Sequence, residues 1–434
     1  MSFIDTIESM TPSEIRRVQG ELLRRTVDYC RSRSPFYRKR LKGMGAISSI
    51  DDIASIPLTS KADIQEENSA FLCVPMTEVA EVVATTGTTG THVYNWLTTG
   101  DLARLAENER RAFARAGVTP SDIFLLAVTL DNLFIAGMAY YSGLRKLGAG
   151  VVRLGPHSPR KHLEVIQALR PTGIVAVPSF ISAVYRQADK DDIDINSLGI
   201  RKAVLIGETI RNADFTSNEL GNIVERLDGL ETYSTYGITE ISAAFCECPS
   251  RSGLHGHSDL VYAEIIDEDG HIAPDGEAGE LVVTTFGVEG TPLIRYRTGD
   301  VTFKVKGACE CGASSVRLGP VIGRKAHKLK VKGATIYPRA IENALVGING
   351  VENYVIEAYT GDDHSDALIV RVGSHNMKSA FKLDICDAIR AKARVTPQVE
   401  VMPPQEVDKI LFEGGGRKPM LFIDRRRKAN DVKL

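Results

Sequence analysis

The sequence predicts an α/β protein with a large N-terminal domain of mixed sheets and flanking helices and a small α+β C-terminal domain. Three observations carry this. Between Thr99 and Ile206 short apolar runs alternate with segments of helical period, the pattern of parallel strands covered on both faces. From Leu260 the runs shorten and are punctuated by Asp269-Gly270, Asp275-Gly276 and Gly287, which reads as antiparallel strands joined by tight turns. Between Val321 and Lys332 a glycine and a basic stretch close that section, and Pro338 to Leu345 opens a new helical pattern. A chain of 434 residues is too long for one small core and allows the division, expected as residues 1–323 and 324–434.

In chain order, residues 12–45 read as helical, with Ile15, Val18, Leu22, Leu23, Val27 and Tyr29 near the three-to-four spacing of a buried stripe. Val82-Val83-Ala84 reads as a strand that runs into Thr85-Thr86-Gly87-Thr88-Thr89-Gly90-Thr91. That composition suits phosphate: glycines let backbone N–H groups approach an anion, and threonine hydroxyls add uncharged donors. No lysine follows Gly90, so it is not a P-loop. A helix is expected from Thr99 to Ala116, then strands at Ile123 to Thr129, Val151-Val152, Ile174 to Val177 and Ala203 to Ile206, with helices at His162 to Leu169 and Ser179 to Gln187 between them. Ligand loops then belong at the carboxyl ends of those strands.

The bulk numbers exclude several classes. A net charge of −2 and a pI near 6.5 leave no electrostatic footprint for nucleic acid or an anionic membrane. No apolar run reaches the ~18 residues of a membrane span, and Met1-Ser2-Phe3-Ile4-Asp5 lacks a basic leader, so the expected place is the cytoplasm. In a reducing compartment the pairs Cys246-x-Cys248 and Cys309-x-Cys311 read better as metal ligands than as disulfides. Cys248, His255, Cys309 and Cys311 make three thiolates and an imidazole, a structural Zn²⁺ set, with Cys246 and His257 as competing ligands.

Beyond the Thr/Gly stretch come Tyr236-Gly237-Ile238-Thr239-Glu240, Tyr296-Arg297-Thr298-Gly299-Asp300, Ile322-Gly323-Arg324 and Lys418 in a glycine-rich turn. In this order, with Pro35-Phe36-Tyr37-Arg38, Ile56-Pro57-Leu58-Thr59-Ser60-Lys61-Ala62-Asp63 and Val74-Pro75 ahead of them, the motifs resemble the adenylate-forming superfamily over nearly the whole chain, and within it the phenylacetate-CoA ligase type. The resemblance implies ATP-dependent activation of a carboxylic acid to an acyl-adenylate, followed by transfer to CoA. Thr85, Thr86, Gly87, Thr88, Thr89 and Gly90 would wrap the β- and γ-phosphates. Glu240 would hold Mg²⁺, with Thr239 beside it in the catalytic set. Tyr236, with Gly237, would stack on adenine against a second wall made by Gly207, Glu208 and Thr209. Asp300 would accept from both ribose hydroxyls. Lys418, six residues before Asp424, would bridge the carboxylate and the α-phosphate, with Arg417 as a substitute because Pro419, Met420 and Leu421 depart from the family's pattern.

The same resemblance makes the C-terminal domain mobile. Arg324 would contact ribose or phosphate beside a hinge, where Ala326 replaces the family's charged residue, and Gly333 would line the pantetheine tunnel. Val128 to Gly137 corresponds to the acid-binding stretch, with Asp131, Phe134, Ala136 and Gly137 as candidate substrate contacts. Asp131 could meet an amino or hydroxyl group of the substrate, or face solvent or cap a helix. An aryl or arylacetic acid is expected. The alternative is a stand-alone adenylation enzyme that passes its acyl group to a carrier protein or an amine. A homodimer is an open option.

Overall fold

The computed structural model describes residues 6–85, 92–331, 334–360, 366–413 and 419–426. It divides into two compact units, Met1–Ser217 with Gly221–Val321, and Asn218–Leu220 with Ile322–Leu434.

Helix α1 (Pro12–Arg33) starts at Thr11, which exchanges hydrogen bonds with Glu14 in a capping box, and has proline at its first position. The helical pattern expected over 12–45 breaks at Ser34-Pro35. Proline has no N–H with which to continue α1, and the Ser34 hydroxyl instead accepts from the Tyr37 N–H to start α2 (Pro35–Arg40). A further capping box, Ser60 with Asp63, starts α3 (Lys61–Glu67).

Strands β1 (Val79–Ala84) and β2 (Tyr94–Thr98) pair antiparallel, so the Thr/Gly stretch is the connection of a β-hairpin. Helix α4 (Thr99–Arg115) follows β2 directly, capped by Thr98 and Asp101. The large sheet begins with β3 (Ile123–Leu126), after which come α5 (Ile135–Leu147), β4 (Gly150–Arg153), α6 (Pro159–Leu169), β5 (Gly173–Ala176), α7 (Pro178–Lys190), β6 (Lys202–Leu205), α8 (Glu219–Val224) and β7 (Glu231–Ile238). Strands β4, β3, β5, β6 and β7 lie side by side and parallel. Phe113, Phe124, Tyr140, Leu144 and Val175 fill the core between that sheet and its helices. Helices α4 and α5 approach closely at Gly143, where a Cβ would come within 2.3 Å of the Glu109 Cβ.

The chain then reverses. β8 (Ala243–Glu247) pairs antiparallel with β7, followed by β9 (Leu254–His255), so the eight-stranded sheet is mixed. β10 (Val261–Ile266), β11 (Gly279–Thr285) and β12 (Tyr296–Thr302) form the antiparallel meander expected from the Asp-Gly turns, with Gly270 and Gly276 at φ +91° and +87°. β13 (Arg317–Leu318) returns to the large sheet beside β9.

In the second unit come β14 (Gly323–Arg324), β15 (Leu329–Val331), β16 (Ala334–Ile336), α9 (Pro338–Leu345), β17 (Asn353–Thr360), β18 (Asp366–Gly373), α10 (Ser379–Ala393), β19 (Gln398–Met402), α11 (Pro404–Leu411) and β20 (Phe422–Asp424). Its main sheet runs β19-β18-β17-β20, with β17 and β18 antiparallel and the outer pairs parallel. Ile341, Ile356, Val370, Ile385 and Ile389 form its own core.

Candidate active site

The carboxyl ends of three parallel strands of the large sheet carry the predicted nucleotide and acid residues: β3 leads to 127–137, β6 to 206–209 and β7 to 236–240. Such ends are where open α/β sheets bind ligands. Tyr236 stands near the end of β7, and its hydroxyl donates to Asp300 Oδ2 at 2.9 Å. Asp300 reaches that position because the register of β11 against β12 shifts between Glu280 and Val282, opposite Thr298-Gly299-Asp300, with Gly299 at φ +76°. A bulge of this kind re-aims a side chain. Asp300 is only 5% exposed, and its N–H donates to Thr298 Oγ1 at 3.1 Å.

Past β7 the chain makes a single 3₁₀ turn, Thr239–Ile241, which buries Glu240. Two groups that the motifs did not single out converge on its carboxylate. Tyr296 donates its hydroxyl to Oε1 at 3.2 Å, and Lys61 Nζ lies 3.6 Å from the same atom. Thr59 sets the Lys61 segment there by exchanging backbone hydrogen bonds with Arg295 and Arg297 at 2.9 and 2.8 Å. Both residues lie inside phrases whose resemblance the sequence carries, so a signal existed, but only tertiary structure aims them at one oxygen. The Glu240 carboxylate offers the oxygen donors that a hard ion such as Mg²⁺ prefers, at the position where Lys61 Nζ stands beside Oε1 here.

Thr85 closes the base of the hairpin connection: its N–H donates to Val93 O at 3.0 Å and its hydroxyl accepts from the Val93 N–H at 3.2 Å. Thr86, Gly87, Thr88, Thr89 and Gly90 lie outside the described residues, as do Gly333, Arg417 and Lys418. Gly207 has φ +83° with open space where a Cβ would be, so its backbone conformation is what requires glycine. Glu208 spends its carboxylate on the start of α7, accepting from the Ser179 N–H and hydroxyl at 2.8 and 2.9 Å. Thr209 follows it. Gly237 leaves 3.0 Å between a notional Cβ and Ala243 O, so β7 and β8 approach closely there.

In the stretch expected to bind the acid, Asp131 is exposed, in a turn where Asn132 and Leu133 both have positive φ. The Leu133 carbonyl accepts from the Ala84 N–H at 2.9 Å, which ties this turn to the end of β1. Phe134 and Ala136 are half-buried, and Gly137 packs so tightly that a Cβ would meet Thr129 O at 1.9 Å. In the second unit Arg324 is exposed on β14, and Ala326 sits in a 3₁₀ turn whose carbonyl accepts from Arg426 at 3.3 Å.

The four expected metal ligands come together away from these residues. One ligand atom from each of Cys248, His255, Cys309 and Cys311 lies within 4.8 Å of all the others, with Cys248 and Cys309 Sγ 3.6 Å apart and Cys311 Sγ 3.6 Å from His255 Nε2. Burial first, then the nearby Arg115 and Arg317, push the His255 pKa down to about 3, so the ring is neutral. Its Nδ1 meets Ser315 Oγ at 2.9 Å, leaving Nε2 for the cluster. Neither competing ligand joins. Cys246 packs among the apolar side chains behind β8, and His257 Nδ1 pairs at 2.7 Å with the fully buried Glu8, which Arg115 also engages.

Comparison with known proteins agrees with this architecture. The AMP-binding enzyme family matches residues 39–289, and the AMP-binding enzyme C-terminal domain matches residues 333–426. The chain belongs to the AMP-binding enzyme family. Phenylacetate-coenzyme A ligase of Thermus thermophilus is 30% identical over 98% of this chain and 100% of its own, and that of Escherichia coli 26% identical over 90% of each. A D-alanine--D-alanyl carrier protein ligase of Listeria innocua is 26% identical over 48% of this chain. Among solved structures, 2-hydroxyisobutyryl-CoA ligase in its postadenylation state superposes with a TM-score of 0.83 at 20% identity, over 98% of this chain and 92% of its own, which shows the shared fold. The chain is an enzyme of the AMP-forming acid-CoA ligase type. Among the described residues no helix is long and apolar enough to cross a membrane.

Proposed function

We propose that this enzyme activates an aryl or arylacetic acid with ATP and passes the acyl group to CoA, with the residues at the carboxyl ends of β6 and β7 as its nucleotide site. In the first step a carboxylate oxygen of the acid bonds to the α-phosphorus, the bond to the bridging oxygen breaks, and pyrophosphate leaves. In the second, the CoA thiol gives up its proton, sulfur bonds to the carbonyl carbon, and AMP leaves. Glu240 would hold Mg²⁺, which would supply charge neutralisation at the phosphates. Thr85 offers its hydroxyl hydrogen, and the Thr/Gly connection its N–H and hydroxyl donors, to the outer phosphates, and Tyr236 offers its ring to adenine. Asp300 has two carboxylate oxygens for the ribose hydroxyls. Lys418 brings a cation to the carboxylate and the α-phosphate, where two anions must meet. Arg324 and Gly333 serve the nucleotide and the pantetheine arm in the thioester step.

The observation that carries the reading is the contact of Tyr236, on β7 and one turn before a buried Glu240, with Asp300 on β12 of another sheet. The Cys248, His255, Cys309 and Cys311 group is proposed as a closed structural Zn²⁺ site, since tetrahedral Zn–S bonds place sulfurs about 3.8 Å apart. Seven unpaired thiols support a reducing compartment, the cytoplasm.

The test is ATP/pyrophosphate exchange screened over aryl, arylacetic and amino acids, then repeated with CoA and read as loss of free thiol. Exchange with phenylacetate or benzoate, with CoA consumed one for one, is the expected result. Lys418→Ala should cut exchange by about two or more orders of magnitude. Exchange without CoA consumption, with acyl transfer to a carrier protein, would replace the acceptor. Activity retained in Lys418→Ala and lost in Arg417→Ala would move the cation to the arginine.

A further inference from the structure

Asn95 occupies a strand position where the alternation calls for hydrocarbon. It points to the same face of the hairpin as Val93 and Leu97, which are 2% and 1% exposed, is itself 3% exposed, and sits opposite Val83 on β1. An amide in such a place has to find partners. Its Nδ2 donates to Thr239 O at 3.1 Å and to Ser242 Oγ at 2.9 Å, and lies 3.5 Å from Glu240 O. The two carbonyls fix the sense of the amide, since the flipped group would set oxygen against oxygen. No donor among the described residues reaches its Oδ1. A valine would pack without that unmet acceptor, so what the asparagine contributes is its grip on residues 239–242.

That turn needs gripping. Ser242 has φ +45°, a left-handed conformation unusual for a residue other than glycine. Arg104 on α4 holds the Ser242 carbonyl at 2.8 Å, along with those of Phe286 and Leu260 at 2.7 and 2.5 Å. Asn95 is the member of this clamp that lies on β2 itself, two residues after the Val93 that closes the base of the Thr/Gly connection.

We propose that Asn95 is a positioning residue for adenylation: it ties the turn that carries Glu240 to the β1–β2 hairpin whose base Thr85 closes, so that the metal carboxylate keeps one place against that hairpin. The proposal rests on Glu240 holding Mg²⁺. It separates the two half-reactions, because pyrophosphate has left before CoA attacks. Losing Asn95 therefore weakens the grip on Mg·ATP and spares acyl transfer from ready-made adenylate.

Asn95→Ala and the better-packed Asn95→Val, which guards against a misfolded alanine variant, are compared with Glu240→Gln and wild type. Calorimetry measures affinity for α,β-methylene-ATP with Mg²⁺, exchange gives the Mg²⁺ concentration for half-maximal rate, and synthetic phenylacetyl-adenylate with CoA gives the second half-reaction. Both Asn95 variants should bind the Mg²⁺ complex about tenfold more weakly and need about tenfold more Mg²⁺, the size expected when a group that orients a metal ligand is removed. Acyl transfer should stay within about twofold of wild type. Wild-type Mg²⁺ behaviour in Asn95→Val and Asn95→Ala, with Glu240→Gln impaired, would overturn the tie alone. Equal loss in both half-reactions would assign Asn95 to packing and overturn it as well. Unchanged Mg²⁺ dependence in Glu240→Gln would sink the metal role of Glu240 and this proposal with it.

Discussion

In the proposed site Tyr236 would join two ligand-binding roles: its ring would meet the base, and its hydroxyl donates at 2.9 Å to Asp300, the carboxylate proposed for the sugar. A hydrogen bond to a carboxylate contributes roughly 1.5–3 kcal/mol, and about 1.4 kcal/mol is a factor of ten in affinity. Tyr236→Phe keeps the ring and removes the bond, so KM for ATP in the exchange reaction should rise about tenfold while the Mg²⁺ requirement stays put. An unchanged KM would separate the tyrosine hydroxyl from ribose recognition. The sequence singles these residues out because each sits in a compact motif. Their partners were not. Glu208 looks like a pocket wall in Gly207-Glu208-Thr209, yet its carboxylate caps α7 through Ser179, 29 positions earlier. His257 looks like a spare zinc ligand two residues from His255, yet Glu8 holds it, 249 positions away. Spacing along the chain carries no information about such pairings.

At the scale of elements, the alternation of apolar runs and helical segments located β3 to β6 and helices α4, α6 and α7, because a strand buried on both faces has to be apolar, but it missed α5. The Asp-Gly turns located the β10 to β12 meander for a similar local reason. The hairpin of β1 with β2 was not legible, since the Thr/Gly connection hides the pairing and Asn95 interrupts the inward face of β2. The break at Ser34-Pro35 was written in the sequence as a cap followed by proline. The short strands β9 and β13 pair over only two residues, Arg317 with His255 and Leu318 with Leu254, too little to hold a sheet edge unaided. With the proposed Zn²⁺ bound, the Cys248, His255, Cys309 and Cys311 group would staple that edge from both sides. Protein purified without chelator should contain about one zinc per chain. Cys309→Ser should lose the metal and lower Tm by several degrees, with kcat of the folded fraction little changed, because a closed four-ligand site has no position for substrate. Metal-free protein of undiminished Tm would remove zinc from the structure.

For the molecule as a whole, pH is the sharpest probe of how the large unit is held together, because several carboxyl groups are buried in its core. Burial pushes Glu109, where α4 meets α5, up to about 7, with only the Asn108 amide pulling it back. Burial pushes Glu247 up to about 7 as well, against the pull of Arg211. Their reference value is 4.5, so between about 4.5 and 7 the folded chain holds protons that the unfolded chain has released. Stability from these groups is therefore complete below about 4.5 and drains away as pH rises through 7. His255 works the other way. Held neutral with a pKa of about 3, it costs stability as pH falls below 6.5. Wild-type unfolding sums these opposed slopes, and one substitution isolates the first. Glu109→Gln keeps the shape and stays uncharged at every pH, so its stability relative to wild type should rise by about 2 kcal/mol between pH 5 and pH 8. Urea unfolding at the two pH values checks this, read on the transition of the large unit because a two-unit chain need not unfold in one step. Parallel shifts at both pH values would mean that Glu109 ionises as freely in the fold as in the open chain, and that water reaches the α4–α5 contact beside Gly143.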